Sequence, residues 1–123
     1  MQTLEMISAL SNACGPSGFE DDALRAVRQF APAGYALAGD ALNNLYLRRE
    51  KADGAKPVLQ LDAHSDEVGF MVQAVRPNGT LRFIALGGWV NSNIPAHRVR
   101  VRTRFGTWIP GVVAAKPPHF MSE

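Results

Sequence analysis

The spacing of apolar residues divides the chain into two styles. Leu4, Ile7 and Leu10 recur every three positions and predict a short helix over Leu4 to Ala13. Cys14-Gly15-Pro16-Ser17-Gly18 interrupts it. Ser17-Gly18-Phe19-Glu20 then matches the S-x-x-E capping box, in which Ser17 and Glu20 satisfy each other's backbone. Phe19, Ala23, Ala26, Val27 and Phe30 form one helical face, so a second helix is expected from Gly18 to about Phe30, ending before Pro32. The acids Glu20, Asp21 and Asp22 suit the positive end of its dipole.

Beyond Tyr35 the pattern shortens to strands. Tyr35 to Gly39 and Leu45 to Arg49 flank Asp40-Ala41-Leu42-Asn43-Asn44, and the Asn pair suits a tight turn because Asn tolerates positive φ. Val58 to Ala63 is a mostly apolar run of strand length behind Pro57, expected as a buried strand of an α/β sheet. Val68 to Val75 and Thr80 to Leu86 bracket Arg76-Pro77-Asn78-Gly79 and read as a hairpin. Arg98 to Thr103 alternates Arg with Val or Thr, the mark of a half-buried strand. After a turn at Phe105-Gly106-Thr107, Trp108 to Ala115 is a strand expected to break at Pro110-Gly111. Residues 1–65 therefore read as the start of an α/β domain and residues 66–123 as part of a small antiparallel β-domain.

Composition narrows the class. With 46% apolar and 20% charged residues in 123, the chain belongs to folded proteins rather than disordered ones. No apolar run approaches the roughly 20 residues that span a bilayer, so no membrane partner is expected. The residues after Met1 lack a basic cluster, and a single cysteine, Cys14, precludes an internal disulfide; together these point to the cytoplasm. Cys14, beside a helix end, is expected as a small buried side chain rather than a nucleophile. Net charge is only +2. Arg98, Arg100, Arg102 and Arg104 concentrate basic charge in one strand. Without interleaved aromatics they read as a solvated face that discourages edge pairing, not as a nucleic-acid groove.

The densest polar cluster is Asp62-Ala63-His64-Ser65-Asp66-Glu67, at the carboxyl end of the apolar run, where α/β sheets place their sites. Alternation lets His64 and Asp66 share a side, about 7 Å apart in extended chain. A neutral imidazole is a good zinc ligand, and a carboxylate from Asp66 or Asp62 would fix its tautomer. One histidine cannot hold a catalytic metal, and neither His97 nor His119 has ligand spacing to His64. Any further ligands come from elsewhere.

The run Leu61-Asp62-Ala63-His64-Ser65-Asp66-Glu67-Val68-Gly69-Phe70-Met71-Val72 resembles the metal-ligand strand of the tetrahedral glutamyl/leucyl aminopeptidases. Gly15-Pro16-Ser17-Gly18-Phe19-Glu20, Asp40-Ala41-Leu42-Asn43-Asn44-Leu45, Gly87-Gly88-Trp89, and Gly111-Val112-Val113 with Lys116-Pro117-Pro118-His119 resemble further landmarks of that family, in the same order. Asn43 stands where the family has glycine.

The resemblance implies an α/β catalytic domain interrupted by an antiparallel, β-barrel-like dimerisation domain. It also implies two divalent metal ions, zinc or cobalt, with His64 as a ligand and Asp66 orienting it. Peptides would be the substrates, and dimers would build a dodecamer. The family supplies its bridging Asp, general-base Glu and remaining ligands beyond Glu123, so the 123 residues alone are expected to be inactive. The alternative is a non-catalytic assembly module in which His64 is a relict.

Overall fold

In the computed structural model, residues 2–51 and 54–115 are described. The chain separates into two compact units, Met1–Gly87 and Gly88–Glu123.

The first unit begins with helices α1 (Gln2–Asn12) and α2 (Asp21–Gln29). Both lie close to the expected positions, but α2 starts later than the sequence suggests. The capping box does not form. The helix carries no side-chain cap bond. Glu20 Oε1 instead accepts from the Gly18 amide at 2.6 Å, and Ser17 turns away to a distant partner. Phe19 N donates to Pro16 O at 2.8 Å, closing a turn in which Gly18 adopts φ +88. That left-handed residue is why the helix cannot begin at Gly18. Between the helices, Cys14 is buried at 5% exposure, as expected. Leu24, which the apolar-face reading passed over, is the buried residue of α2.

Strands β1 (Tyr35–Gly39) and β2 (Leu45–Arg49) occupy the expected spans and pair antiparallel, Gly39 opposite Leu45. Their turn is organised by Asp40. Its Oδ1 accepts from the amides of Leu42 at 2.9 Å and Asn44 at 3.0 Å, while Oδ2 takes the Asn44 side-chain amide at 2.8 Å and the Tyr46 hydroxyl at 2.9 Å. Asn43 sits at φ 61, the left-handed conformation that favours Gly and, next, Asn. Strands β3 (Gly69–Val75) and β4 (Leu81–Leu86) form the second hairpin, closed by Arg76 N to Thr80 O at 2.8 Å, with a bulge between Val72 and Ala74. Phe70 and Phe83 pack diagonally across it, rings tilted by 58° and centroids 4.5 Å apart.

One expectation fails here. Val58 to Ala63 forms no strand, and Val58, Leu59 and Leu61 are 93%, 83% and 87% exposed. A strand is stabilised by ladder bonds to neighbours and by burial of its faces. Among the described residues no strand pairs with this run.

The second unit is a two-stranded ribbon, β5 (Arg98–Arg102) and β6 (Trp108–Val112), preceded by a short 3₁₀ turn at Asn91–Asn93. Arg98, Arg100 and Arg102 face solvent while Val99 and Val101 turn inward, as the alternation predicts. Pro110 does not break β6. It pairs opposite Arg100, and on a strand with an open edge its missing N–H need not interrupt the ladder. Val113 is buried, its amide donating to His97 O at 2.9 Å. Arg104 lies in the turn with its guanidinium 4.6 Å from the Phe105 ring centroid.

Among the described residues, the three sheets are two-stranded and antiparallel. The one parallel contact described is an isolated bridge between Pro16 and Glu67. Among the described residues, no helix is long and apolar enough to cross a membrane. His119 and its Lys-Pro-Pro prefix lie outside the described residues.

Candidate functional site

The polar cluster after the apolar run is held by the breaker that follows α1. Glu67 N donates to Gly15 O at 2.8 Å, and Glu67 Oε1 accepts from Gly15 N at 3.0 Å. Gly15 is buried and tightly enclosed: an added Cβ would lie 3.2 Å from the Ala23 Cβ and 3.3 Å from Ser65 O. These contacts join segments fifty residues apart and place Ser17 over Asp66.

Asp66 is the hub. The Ser17 hydroxyl donates to its Oδ2. Its Oδ1 lies 3.0 Å from His64 Nδ1, and its backbone carbonyl lies at the same distance from that nitrogen. The Ser17 hydrogen bond above all holds the Asp66 carboxyl below its ordinary pKa; burial opposes it, and the hydrogen bond with His64 adds a lesser lowering. Asp66 is therefore a carboxylate at neutral pH. Nδ1 of His64 faces two acceptors, so it carries the ring proton, and Nε2 presents its lone pair outward. The His64 side chain is 86% exposed. An imidazole with a fixed Nδ1 proton and an open Nε2 has the donor chemistry of a metal ligand.

Two other sequence candidates have partners of their own. Asp62, the alternative partner for His64, accepts instead from Gln60 Nε2 at 3.0 Å. His97 presents its ring edge-on to Trp89, centroids 5.5 Å apart. Among the described residues, no three His, Cys, Asp or Glu side chains cluster as a metal site would require. The sequence reading missed Ser17, because it assigned that hydroxyl a local capping role. Nothing in local spacing signals a bond to a residue 49 positions away.

Residues 43–123 match the family model described as M42 glutamyl aminopeptidase. The chain is 33% identical over 124 residues to the glutamyl aminopeptidase of Lactococcus lactis subsp. cremoris (strain MG1363), covering 98% of this chain and 34% of the relative. Among solved structures it resembles the TET aminopeptidase from the marine sediment archaeon Thaumarchaeota archaeon SCGC AB-539-E09, with a TM-score of 0.87 and 31% identity over 98% of this chain and 33% of that one. It also resembles PhTET1-12s, a dodecamer in its crystal's asymmetric unit, with a TM-score of 0.75 and 25% identity over 97% of this chain and 35% of that one. The chain thus spans about a third of the length of the relatives it matches. On the family match and on identity across nearly its whole length, this chain belongs to the M42 glutamyl aminopeptidase family.

Proposed function

We propose that this chain is the N-terminal part of a metal-dependent aminopeptidase that removes N-terminal residues from peptides, and that His64 is a ligand to its metal centre. One observation carries the ligand assignment: His64 Nδ1 lies 3.0 Å from both the Oδ1 and the carbonyl oxygen of Asp66, two acceptors that draw the ring proton to Nδ1 and leave Nε2 as the free donor. A single imidazole is an incomplete donor set, so the remaining ligands and the general base belong to sequence beyond these 123 residues.

The centre would hold two divalent ions, zinc or cobalt, with His64 as one ligand. Bound there, they supply Lewis-acid polarisation of the scissile carbonyl and a water activated at neutral pH. The role of this chain's residues is positional. Asp66 fixes the tautomer and the aim of His64, and its negative charge makes the imidazole a stronger donor.

The dodecameric neighbour supports a homo-oligomer, from dimer to dodecamer, and the single cysteine suits the cytoplasm. In that assembly residues 1–65 open the α/β catalytic domain, and residues 66–123 contribute to a β-barrel-like dimerisation domain.

The test is metal binding and peptide hydrolysis by the full-length protein that carries this segment. His64→Ala is expected to remove bound metal and to lower kcat/KM at least 100-fold, with chelation abolishing turnover by the unmodified enzyme. Undiminished peptide hydrolysis by the His64→Ala protein would refute the ligand assignment. A stable oligomer that binds no metal and cleaves no peptide would instead point to the non-catalytic assembly module.

A further inference from the structure

We infer that Ser17 is a positioning residue for the metal centre, acting through Asp66 on His64. The inference rests on the proposed role of His64.

An aspartate that steers a histidine must itself be steered. A carboxylate with one oxygen on the imidazole and the other in water can rotate about its Cβ–Cγ bond, and the ring would follow it. In this chain the second oxygen is occupied. Ser17 donates to Oδ2 while His64 engages Oδ1, so rotation of the Asp66 carboxylate would break both bonds. The hydroxyl is anchored in turn. Its residue lies in the turn Phe19 N closes on Pro16 O, and the neighbouring Gly15 exchanges two hydrogen bonds with Glu67. Pro16 adds a parallel bridge to the same residue. Ser17 and Asp66 are thus held by backbone on both sides of their contact. The order is Ser17 hydroxyl, Asp66 carboxylate, His64 imidazole, with Nε2 at the open end.

This accounts for a local anomaly. The sequence offers a good N-cap at Ser17, normally a stabilising arrangement. The structure leaves α2 without a side-chain cap bond and points the Ser17 hydroxyl across the unit instead. With Glu20 rather than Ser17 at the N-cap, the hydroxyl has no part in α2 and braces the carboxylate on His64 instead.

The experiment uses the full-length protein and reads metal affinity by competition with a chromogenic chelator, alongside the ¹⁵N signals of the His64 ring. Outer partners of metal ligands typically contribute 10- to 100-fold in affinity. Ser17→Ala is expected to weaken zinc binding by about 10-fold or more, and to mix the two His64 tautomers in the metal-free protein. Ser17→Thr, which keeps the hydroxyl, is expected to restore both. Thermal unfolding of each variant separates loss of positioning from loss of fold. Zinc affinity and tautomer unchanged in Ser17→Ala, with His64→Ala still losing metal, would overturn this inference and leave the ligand assignment standing. Zinc retained in His64→Ala would overturn both.

Discussion

Gly69 lies against Pro16 so closely that a Cβ built on Gly69 would meet the Pro16 Cβ at 2.8 Å. Pro16 is the residue before Ser17, and Gly69 opens β3 three residues after Asp66. The contact is therefore the steric half of the brace whose polar half is Ser17 with Asp66. A pyrrolidine ring cannot swing aside as a long flexible side chain can, so any substituent on Gly69 must move backbone.

Gly69→Ala is accordingly expected to destabilise the first unit by roughly 1–3 kcal/mol, the usual cost of overpacking a fitted contact. Gly88→Ala provides the comparison. Nothing lies within 4 Å of its added Cβ, so a change within about 0.5 kcal/mol is expected. Urea unfolding of the two variants measures the difference, and equal midpoints would show that Pro16 yields.

The Asp40 turn carries a pH signature. Hydrogen bonds from the Asn44 side chain and backbone, followed by those from Tyr46 and Leu42, lower the Asp40 carboxyl from 3.8 to about 2. A depressed folded value means the carboxylate form is favoured by folding. The stabilisation is present above the unfolded value and is lost as pH falls toward and through about 2. Tyr46 behaves oppositely. Its hydrogen bond to Asp40, then the charge of Asp40, raises the phenol above 10.0, so that contribution holds below 10.0 and disappears as pH rises through the folded value. Carboxyl ¹³C titration is expected to give an Asp40 midpoint near 2. Asp40→Asn is expected to return the Tyr46 phenolate transition toward its ordinary range. A Tyr46 transition unaffected by that substitution would exclude the bond.

These cases separate what the chain discloses from what it conceals. The hairpins were legible because their signals are local: Asp40 with the Asn43-Asn44 pair, and Asn78-Gly79 with alternating neighbours, fix turn and register within a dozen residues. The Arg98 to Arg102 alternation likewise gave its exposed face directly. Ser17 was misread because a capping motif and a long-range brace use the same hydroxyl, and local spacing cannot choose between them. Pro110 was misread because a proline breaks a central strand but not an open edge, and edge status is a property of the sheet. The His64–Asp66 pair was visible as spacing, but its tautomer became definable only once the Oδ1 and backbone carbonyl of Asp66 were both seen to face Nδ1.

The run Val58-Leu59-Gln60-Leu61 poses the sharpest case of a tertiary requirement. Its composition is that of a buried strand, yet three of its four residues lie more than 80% exposed. An uncharged, apolar segment of strand composition with no strand partner among the described residues is a template for association with another chain. The 123-residue chain is therefore expected to self-associate in a concentration-dependent way. Leu59→Lys with Leu61→Lys is expected to suppress this, because paired segments would then stack like charges. Light scattering reads the association, and far-ultraviolet circular dichroism is expected to show the hairpins unchanged. In a full-length protein that sheathes this run in a sheet, the same two lysines would be buried without partners, and the cost would exceed about 4 kcal/mol. Opposite signs in the two settings, greater solubility for the short chain and lost folding for the long one, are what a strand awaiting its neighbours requires. The same sign in both would mean that this run stays at the surface in the longer protein as well.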